Sequence, residues 1–254
     1  MPDDKNPTPN EPEAVSPEIS MLSKIKVLYE DPNILAINKP SGILVHPDNH
    51  SKAKTIVDLF IKKYPKLEVV HRLDKETSGV LLLAKNQKAH VFLKKQFVNR
   101  EIKKTYFAIV NGFVKNDHGV INKPIGRSPV DFRRRLAGRG ARGELREAIT
   151  EYKAIKRFFD GKEKFTYLEI KPKTGRTHQI RVHMKFLNHP VAWDTLYNPD
   201  GPLPNLPLNK GEEKGGGRMF LHAHSIEFKD LKGKTVKIES PIPFEIRKVM
   251  NPHT

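Results

Sequence analysis

His71-Arg-Leu-Asp-Lys-Glu-Thr-Ser-Gly-Val80 runs directly into Leu81-Leu-Leu-Ala84. From Val80 the stretch is unbroken apolar, as in a short strand buried on both faces. Ahead of it stands a polar turn that carries Asp74, with Arg72 two residues earlier. Groups on a loop at the end of a rigid element are well placed for chemistry. Taken alone, Asp74 reads as readily as a turn or cap residue. Its neighbours His71, Arg72 and Thr77, packed against the start of a buried strand, favour a site. An aspartate beside arginines stays ionised, which suits a nucleophile or base and not a general acid.

About a hundred residues on stands a second dense polar block, Lys173-Thr-Gly-Arg-Thr-His-Gln-Ile-Arg-Val-His183. Arg176 lies in a Gly-containing turn before a helix expected over 177–187, which Thr177 could cap. Ile180, His183, Met184 and Leu187 form its apolar stripe. The planar forks of Arg176 and Arg181 suit a carboxylate or a phosphate; a structural salt bridge is equally open. His178 and His183 are five apart, so they do not share a helix face as a zinc pair would. His222 and His224 alternate on a strand without a third ligand, which points to packed or hydrogen-bonded roles. No metal site is expected. Tyr106, in the strand 105–110, reads by itself as an ordinary half-buried strand tyrosine.

Outward from these blocks the chain is rich in hairpins. Two β-prone runs flank Asp31-Pro-Asn33, and Lys39-Pro-Ser-Gly42 makes a further turn. Residues 55–64 and 87–98 read as helices, the second with Ala89, Phe92, Leu93 and Phe97 on one face. Strands near 149–158 and 164–171 flank Asp160-Gly161. Strands at 219–228 and 235–238 and a short helix near 243–249 follow. The segment 127–146 holds seven arginines and two acids with no usable periodicity, and 198–217 holds four prolines and five glycines. Both read as long surface loops. Gly138-Arg-Gly-Ala-Arg-Gly143 matches the dinucleotide pattern only formally, since no strand precedes it; its arginines suit phosphate contact. Strands outnumber helices and hairpins dominate, so the fold class is α+β with a largely antiparallel sheet.

Lys and Arg number 46 against 29 Asp and Glu in 254 residues, a net charge of +17. Residues 1–20 carry five prolines and five acids against one lysine, leaving this stretch at −4 and the remainder at +21. Residues 1–20 therefore read as a disordered acidic tail, and 21–254 as one domain. A body this basic favours a polyanionic partner. The chain has no cysteine, which excludes disulfides and thiolate catalysis. Met1-Pro-Asp-Asp-Lys-Asn6 does not resemble a signal peptide, and no apolar run approaches the length of a membrane span. A cytoplasmic monomer with no membrane association is expected.

Together these residues resemble the RluA family of RNA pseudouridine synthases. The family pattern H-R-L-D-x-x-T-S-G-x-L stands at His71–Leu81, and G-R-T-H-Q-I-R-V-H stands at Gly175–His183. Lys104-Thr-Tyr-Phe-Ala-Ile-Val110 resembles the family's tyrosine motif, and Leu221–Phe228 is also similar. The likeness spans roughly residues 25–245. Trp193-Asp194 departs from the family's usual glycine-aspartate, and the 198–217 insertion is long. The resemblance implies a pseudouridine synthase catalytic domain over 21–254, an α+β fold with a curved, mixed and mostly antiparallel sheet, flanking helices and a central cleft. It implies isomerisation of uridine to pseudouridine in ribosomal RNA, tRNA or both, without metal or nucleotide cofactor. Asp74 would be the essential carboxylate, Tyr106 would stack on the base, and Arg176 would pair with Asp74. Arg72 would fill the space left by the flipped nucleotide. His71, Thr77, Arg181 and the triplet Arg133, Arg134 and Arg135 would contact RNA.

Two other readings share these features. A non-catalytic RNA-binding module would not need the carboxylate. A glycosylase or hydrolase would use one carboxylate and base flipping but release a free base.

Overall fold

The apolar run expected to be buried on both faces is a strand that starts two residues earlier, at Ser78, and ends at Ala84. In the computed structural model, which describes residues 22–23, 25–47, 53–201 and 218–250, it is the fourth strand, β4. Before it come the hairpin β1 (Lys26–Glu30) and β2 (Ile34–Lys39), helix α1 (Ile56–Phe60) and the short β3 (Glu68–Val69). Asp31 Oδ1 closes the hairpin by accepting the N–H of Asn33 and of Ile34, both at 2.7 Å. Side chains alternate across a strand, so β2 and β4 feed two cores. Leu35, Ile37, Leu81 and Leu83 meet Ile56, Leu59 and Phe60 of α1. Ile34, Ala36, Val80, Leu82 and Ala84 meet Ala89 and Leu93 of α2 (Gln87–Val98) on the other face. Fully burying one such side chain contributes about 1.5–3 kcal/mol.

The remaining strands are β5 (Lys103–Asn111), β6 (His118–Asn122), β7 (Ile125–Arg127), β8 (Arg135–Ala137), β9 (Arg142–Arg146), β10 (Ile149–Phe159), β11 (Lys164–Pro172), β12 (Leu221–Lys229) and β13 (Thr235–Glu239). Helices α3 (Gln179–Phe186) and α4 (Phe244–Met250) complete the described elements. Among the described residues the main sheet has ten strands, ordered β1-β2-β4-β12-β5-β11-β10-β6, with β13 on β12 and β3 on β4. Every pairing is antiparallel except β4 with β12. The α+β class and the mixed, mostly antiparallel sheet are therefore found. No helix among the described residues is long and apolar enough to cross a membrane.

The junction of β4 and β12 is tight. Gly79 adopts φ +112°, and a Cβ there would lie 2.1 Å from the Ala223 carbonyl oxygen. Only glycine admits both the conformation and the approach. Gly79→Ala is expected to destabilise the fold by about 3–5 kcal/mol through overpacking and backbone strain. A lowered urea midpoint, or loss of soluble protein, checks this; a wild-type midpoint would refute it.

One expectation is corrected. Residues 127–146 are not an unstructured loop: β7, β8 and β9 form a separate sheet, ordered β8-β7-β9. All five residues of β9 are exposed, so no apolar alternation marked the strand. The acidic stretch 1–20 and residues 202–217 of the insertion lie outside the described residues.

Candidate active site

The loop bearing Asp74 is gripped from below by the turn that follows β2. Lys39 is fully buried, and its Nζ donates to the carbonyls of Pro40 (2.9 Å), Ile43 (2.8 Å) and Lys75 (2.9 Å). The Gly42 N–H also donates to the Lys75 carbonyl (2.8 Å), and Ser41 Oγ to the Glu76 carbonyl (2.6 Å). An ammonium has three donors, and each finds an oxygen. Burial pulls the Lys39 pKa down to about 7, against the opposing charges of Glu76 and Asp74. The Thr77 N–H donates to the Asp74 carbonyl and closes the loop (3.2 Å).

Asp74 then meets an arginine, but not the expected one. Arg181 Nη1 donates to Asp74 Oδ2 at 3.2 Å. Arg176, expected to hold Asp74, instead donates from Nε to the Glu147 carbonyl at 2.9 Å. The reason is local. The helix begins at Gln179, two residues later than expected, and its N-cap position is His178 in a left-handed conformation, not Thr177. Gln179 Oε1 accepts the Arg176 N–H (3.0 Å) and holds that residue in the preceding turn. Arg181 lies within the helix, on the side that meets the Asp74 loop.

Arg181 is itself held from behind. Asp194 accepts its Nε (2.7 Å) and Nη2 (2.8 Å) in a bidentate pair, and Asp194 Oδ1 also accepts the N–H of Leu196 and of Tyr197. Burial disfavours the Arg181 cation, yet the bonds and charges of Asp194 and then Asp74 outweigh it and raise its pKa. The Asp74 side chain is 23% exposed, whereas Arg181 is at 4% and Asp194 at 0%. The chain of charges thus ends in one accessible carboxylate.

That carboxylate lies in a cleft of about 710 Å³, lined also by Arg72, Lys104, Tyr106, Arg176 and His178. Tyr106 comes from β5; burial and then the charge of Asp74 raise its pKa, so it remains a phenol. Lys104 donates from Nζ to the Thr174 carbonyl (3.1 Å), and burial lowers its pKa to about 8. A hollow of about 470 Å³ beside the cleft shares Arg72, Asp74, His178 and Arg181, and Arg133 borders it. Arg72 is exposed, its Nη1 resting on His46 Nε2 at 3.1 Å. Because arginine only donates, His46 accepts through Nε2, and its Nδ1–H serves the Pro47 carbonyl (2.8 Å).

His71 and Thr77, both expected as RNA contacts, line the cleft and also make internal contacts. Thr77 is only 3% exposed. His71 accepts the Leu82 N–H through Nε2 (2.9 Å) and stacks on Phe97, with ring centroids 4.9 Å apart. Burial, then Lys104 and Lys94, push its pKa from 6.5 down to about 3. The fold thus refuses a proton that the unfolded chain accepts. This contribution is fully present above pH 6.5 and is lost as the pH falls toward 3, by at most about 1.4 kcal/mol per pH unit. His71→Gln is expected to flatten the decline in stability between pH 7 and pH 5, as read by urea midpoints. An unchanged slope would exclude His71 as its source.

Arg133 and Arg134 both turn to Asp131: Arg133 Nη2 lies 2.8 Å and Arg134 Nε 3.6 Å from its Oδ2. His222 and His224 are hydrogen-bonded, through Nδ1, with Ser78 Oγ (2.7 Å) and the Ser240 carbonyl (2.8 Å). Sequence reasoning missed Asp194 as a site residue and met it only in the departure Trp193-Asp194. The backbone at Trp193 is left-handed (φ 60°), where glycine is least strained. The tryptophan ring stacks on Phe220 at 5.1 Å.

Residues 33–186 match the family model described as RNA pseudouridylate synthase. A protein of Aquifex aeolicus named Uncharacterized RNA pseudouridine synthase is 42% identical over 232 residues, covering 87% of this chain and 71% of the relative. Ribosomal large subunit pseudouridine synthase D of Xanthomonas campestris is 36% identical, covering 89% and 69%. Among solved structures, human RNA Pseudouridylate Synthase Domain Containing 1 superposes with a TM-score of 0.71 at 25% identity, covering 92% of this chain and 87% of that one.

Proposed function

Since the chain belongs to the RluA family of RNA pseudouridine synthases, enzymes that isomerise uridine to pseudouridine in RNA, we propose that Asp74 is the carboxylate on which its reaction depends. The observation that carries this is the run Asp74–Arg181–Asp194. Its inner members are buried and paired, and its outer carboxylate opens on the cleft. In the reaction the N1–C1′ bond breaks, the uracil turns and C5 bonds to C1′; one proton leaves C5 and one is gained at N1. Arg181 holds Asp74 aimed at the cleft through its Nη1 hydrogen bond. Tyr106, kept a phenol, stacks on the uracil. Arg72 leaves His46 and fills the gap of the extruded nucleotide. Arg176 lines the cleft and meets a phosphate.

We infer that the substrate is large-subunit ribosomal RNA, reached in the cytoplasm by a monomer. The support is the name of the Xanthomonas relative and the basic body of this chain. Carbodiimide labelling and primer extension on RNA from cells with and without the protein test this. The expected result is loss of a stop in that RNA, restored by wild type and not by Asp74→Asn. A stop lost only in tRNA would reassign the substrate.

The arginine sheet is read as a clamp on the phosphate backbone. Replacing Arg133, Arg134 and Arg135 with Gln is expected to weaken RNA binding and lower the slope of log affinity against log salt by about 1–2. Arg133→Gln alone should do less, because Asp131 already matches its charge. Filter binding across a salt series checks this, and an unchanged slope in the triple variant would remove the clamp.

A further inference from the structure

The arginine sheet is fastened beside the catalytic helix through a small apolar cluster, and Tyr197 stands in its middle. Tyr197 is 5% exposed and packs with Ile125 of β7, Ala148 and Val182 of α3. Its N–H donates to Asp194 Oδ1 (3.0 Å), and its ring lies beneath Arg181, with Cζ 5.1 Å from the centroid. Its hydroxyl accepts the N–H of Arg135 in β8 (2.8 Å) and lies 3.0 Å from His178 Nδ1. Burial pushes its pKa up to about 12, so the hydroxyl keeps its proton. Burial likewise lowers the pKa of His178 and favours its neutral form. A phenylalanine would fill the same space. The hydroxyl adds links to two elements, the arginine sheet and the residue that starts α3.

We propose that Tyr197 is a positioning residue with two separable effects: its hydroxyl seats the arginine sheet against RNA, and its ring holds Arg181 in line with Asp74. The second effect rests on the reading of Asp74 as the essential carboxylate; the first does not. Tyr197→Phe removes the hydroxyl and keeps the ring, whereas Tyr197→Leu removes both.

The test uses large-subunit ribosomal RNA transcribed with 5-tritiated uridine. Tritium release in a single turnover gives the saturated rate, and filter binding of the same RNA gives affinity, both per folded molecule. Tyr197→Phe is expected to weaken binding about 5-fold, the effect of losing the hydrogen bond that reaches the arginine sheet, with the saturated rate within about two-fold of wild type. Tyr197→Leu should weaken binding equally and lower the saturated rate at least about 10-fold, because Arg181 loses its support. In the background carrying Gln at 133, 134 and 135, Tyr197→Phe should weaken binding no further, since both changes act through one sheet. A purely structural tyrosine would lower thermal stability without this division between affinity and rate.

Additive binding losses, or unchanged binding in Tyr197→Phe, would overturn the role of the hydroxyl. A wild-type saturated rate in Tyr197→Leu would overturn that of the ring. If Tyr197→Leu does not fold, Tyr197→Met supplies the rate comparison. A wild-type enzyme inactive on this transcript would count against the proposed substrate, while the binding comparison would still decide the role of the hydroxyl.

Discussion

Asp74→Asn is expected to lower single-turnover pseudouridine formation by at least about 10³-fold while RNA binding stays within about two-fold of wild type. The substitution keeps the shape of the side chain and removes its charge. It touches one 3.2 Å contact of an arginine whose other nitrogens, Nε and Nη2, are held by Asp194. Arg181 is therefore not left as an uncompensated buried cation, and the fold should survive with a melting temperature close to wild type. Tritium release from labelled RNA reads the rate, and circular dichroism reads the fold. Turnover near the wild-type rate in a folded Asp74→Asn protein would end the assignment of Asp74. Loss of folding would show that the carboxylate has a structural duty that its 23% exposure does not suggest.

Asp194→Ala is expected to lower stability and turnover together. Arg181, at 4% exposure, would lose its bidentate partner, and the N–H groups of Leu196 and Tyr197 would lose their acceptor. Removing one member of a buried ion pair costs about 3–5 kcal/mol. For a chain of this size that corresponds to a fall of about 10 °C in melting temperature. Asp194→Asn keeps an acceptor for the two amides and should fall by less. Turnover should drop in both variants, because Arg181 would no longer be directed at Asp74. Thermal denaturation and single-turnover rates check this; an Asp194→Ala protein as stable and active as wild type would refute the proposed relay of charge.

Much of the fold was legible wherever burial leaves a period in the sequence. The apolar run at Val80–Ala84, the face of α2 and the turn at Asp160-Gly161 all appear where they were expected. The strands of the arginine sheet did not show, because pairing there is carried by the backbone and β9 buries no side chain. Lys39 was read only as part of a turn, since a lysine is almost never fully buried, and no local pattern announces three distant carbonyls. The exchange of Arg176 for Arg181 had a different cause. Both arginines sit in one motif, and only the start of the helix decides which of them reaches the Asp74 loop. That start depends on a left-handed His178, a conformation uncommon for a residue other than glycine. Tyr197 and Asp194 belong to a loop brought to the site by tertiary packing, which spacing along the chain does not reveal.

The place of β12 has a consequence for timing. Asp74, Tyr106, Arg181 and Asp194 all precede residue 200, yet the strand between the Asp74 half and the Tyr106 half of the sheet is Leu221–Lys229. Its parallel register joins Ser78 to His222, a closure that spans more than half the chain and is intrinsically slow to form. A growing polypeptide can hold every proposed catalytic side chain and still lack the wedge that sets them around one cleft. Competence to act on RNA is therefore acquired only after residues 221–229 are made, when the segment that bears no catalytic group slots into the middle of the sheet.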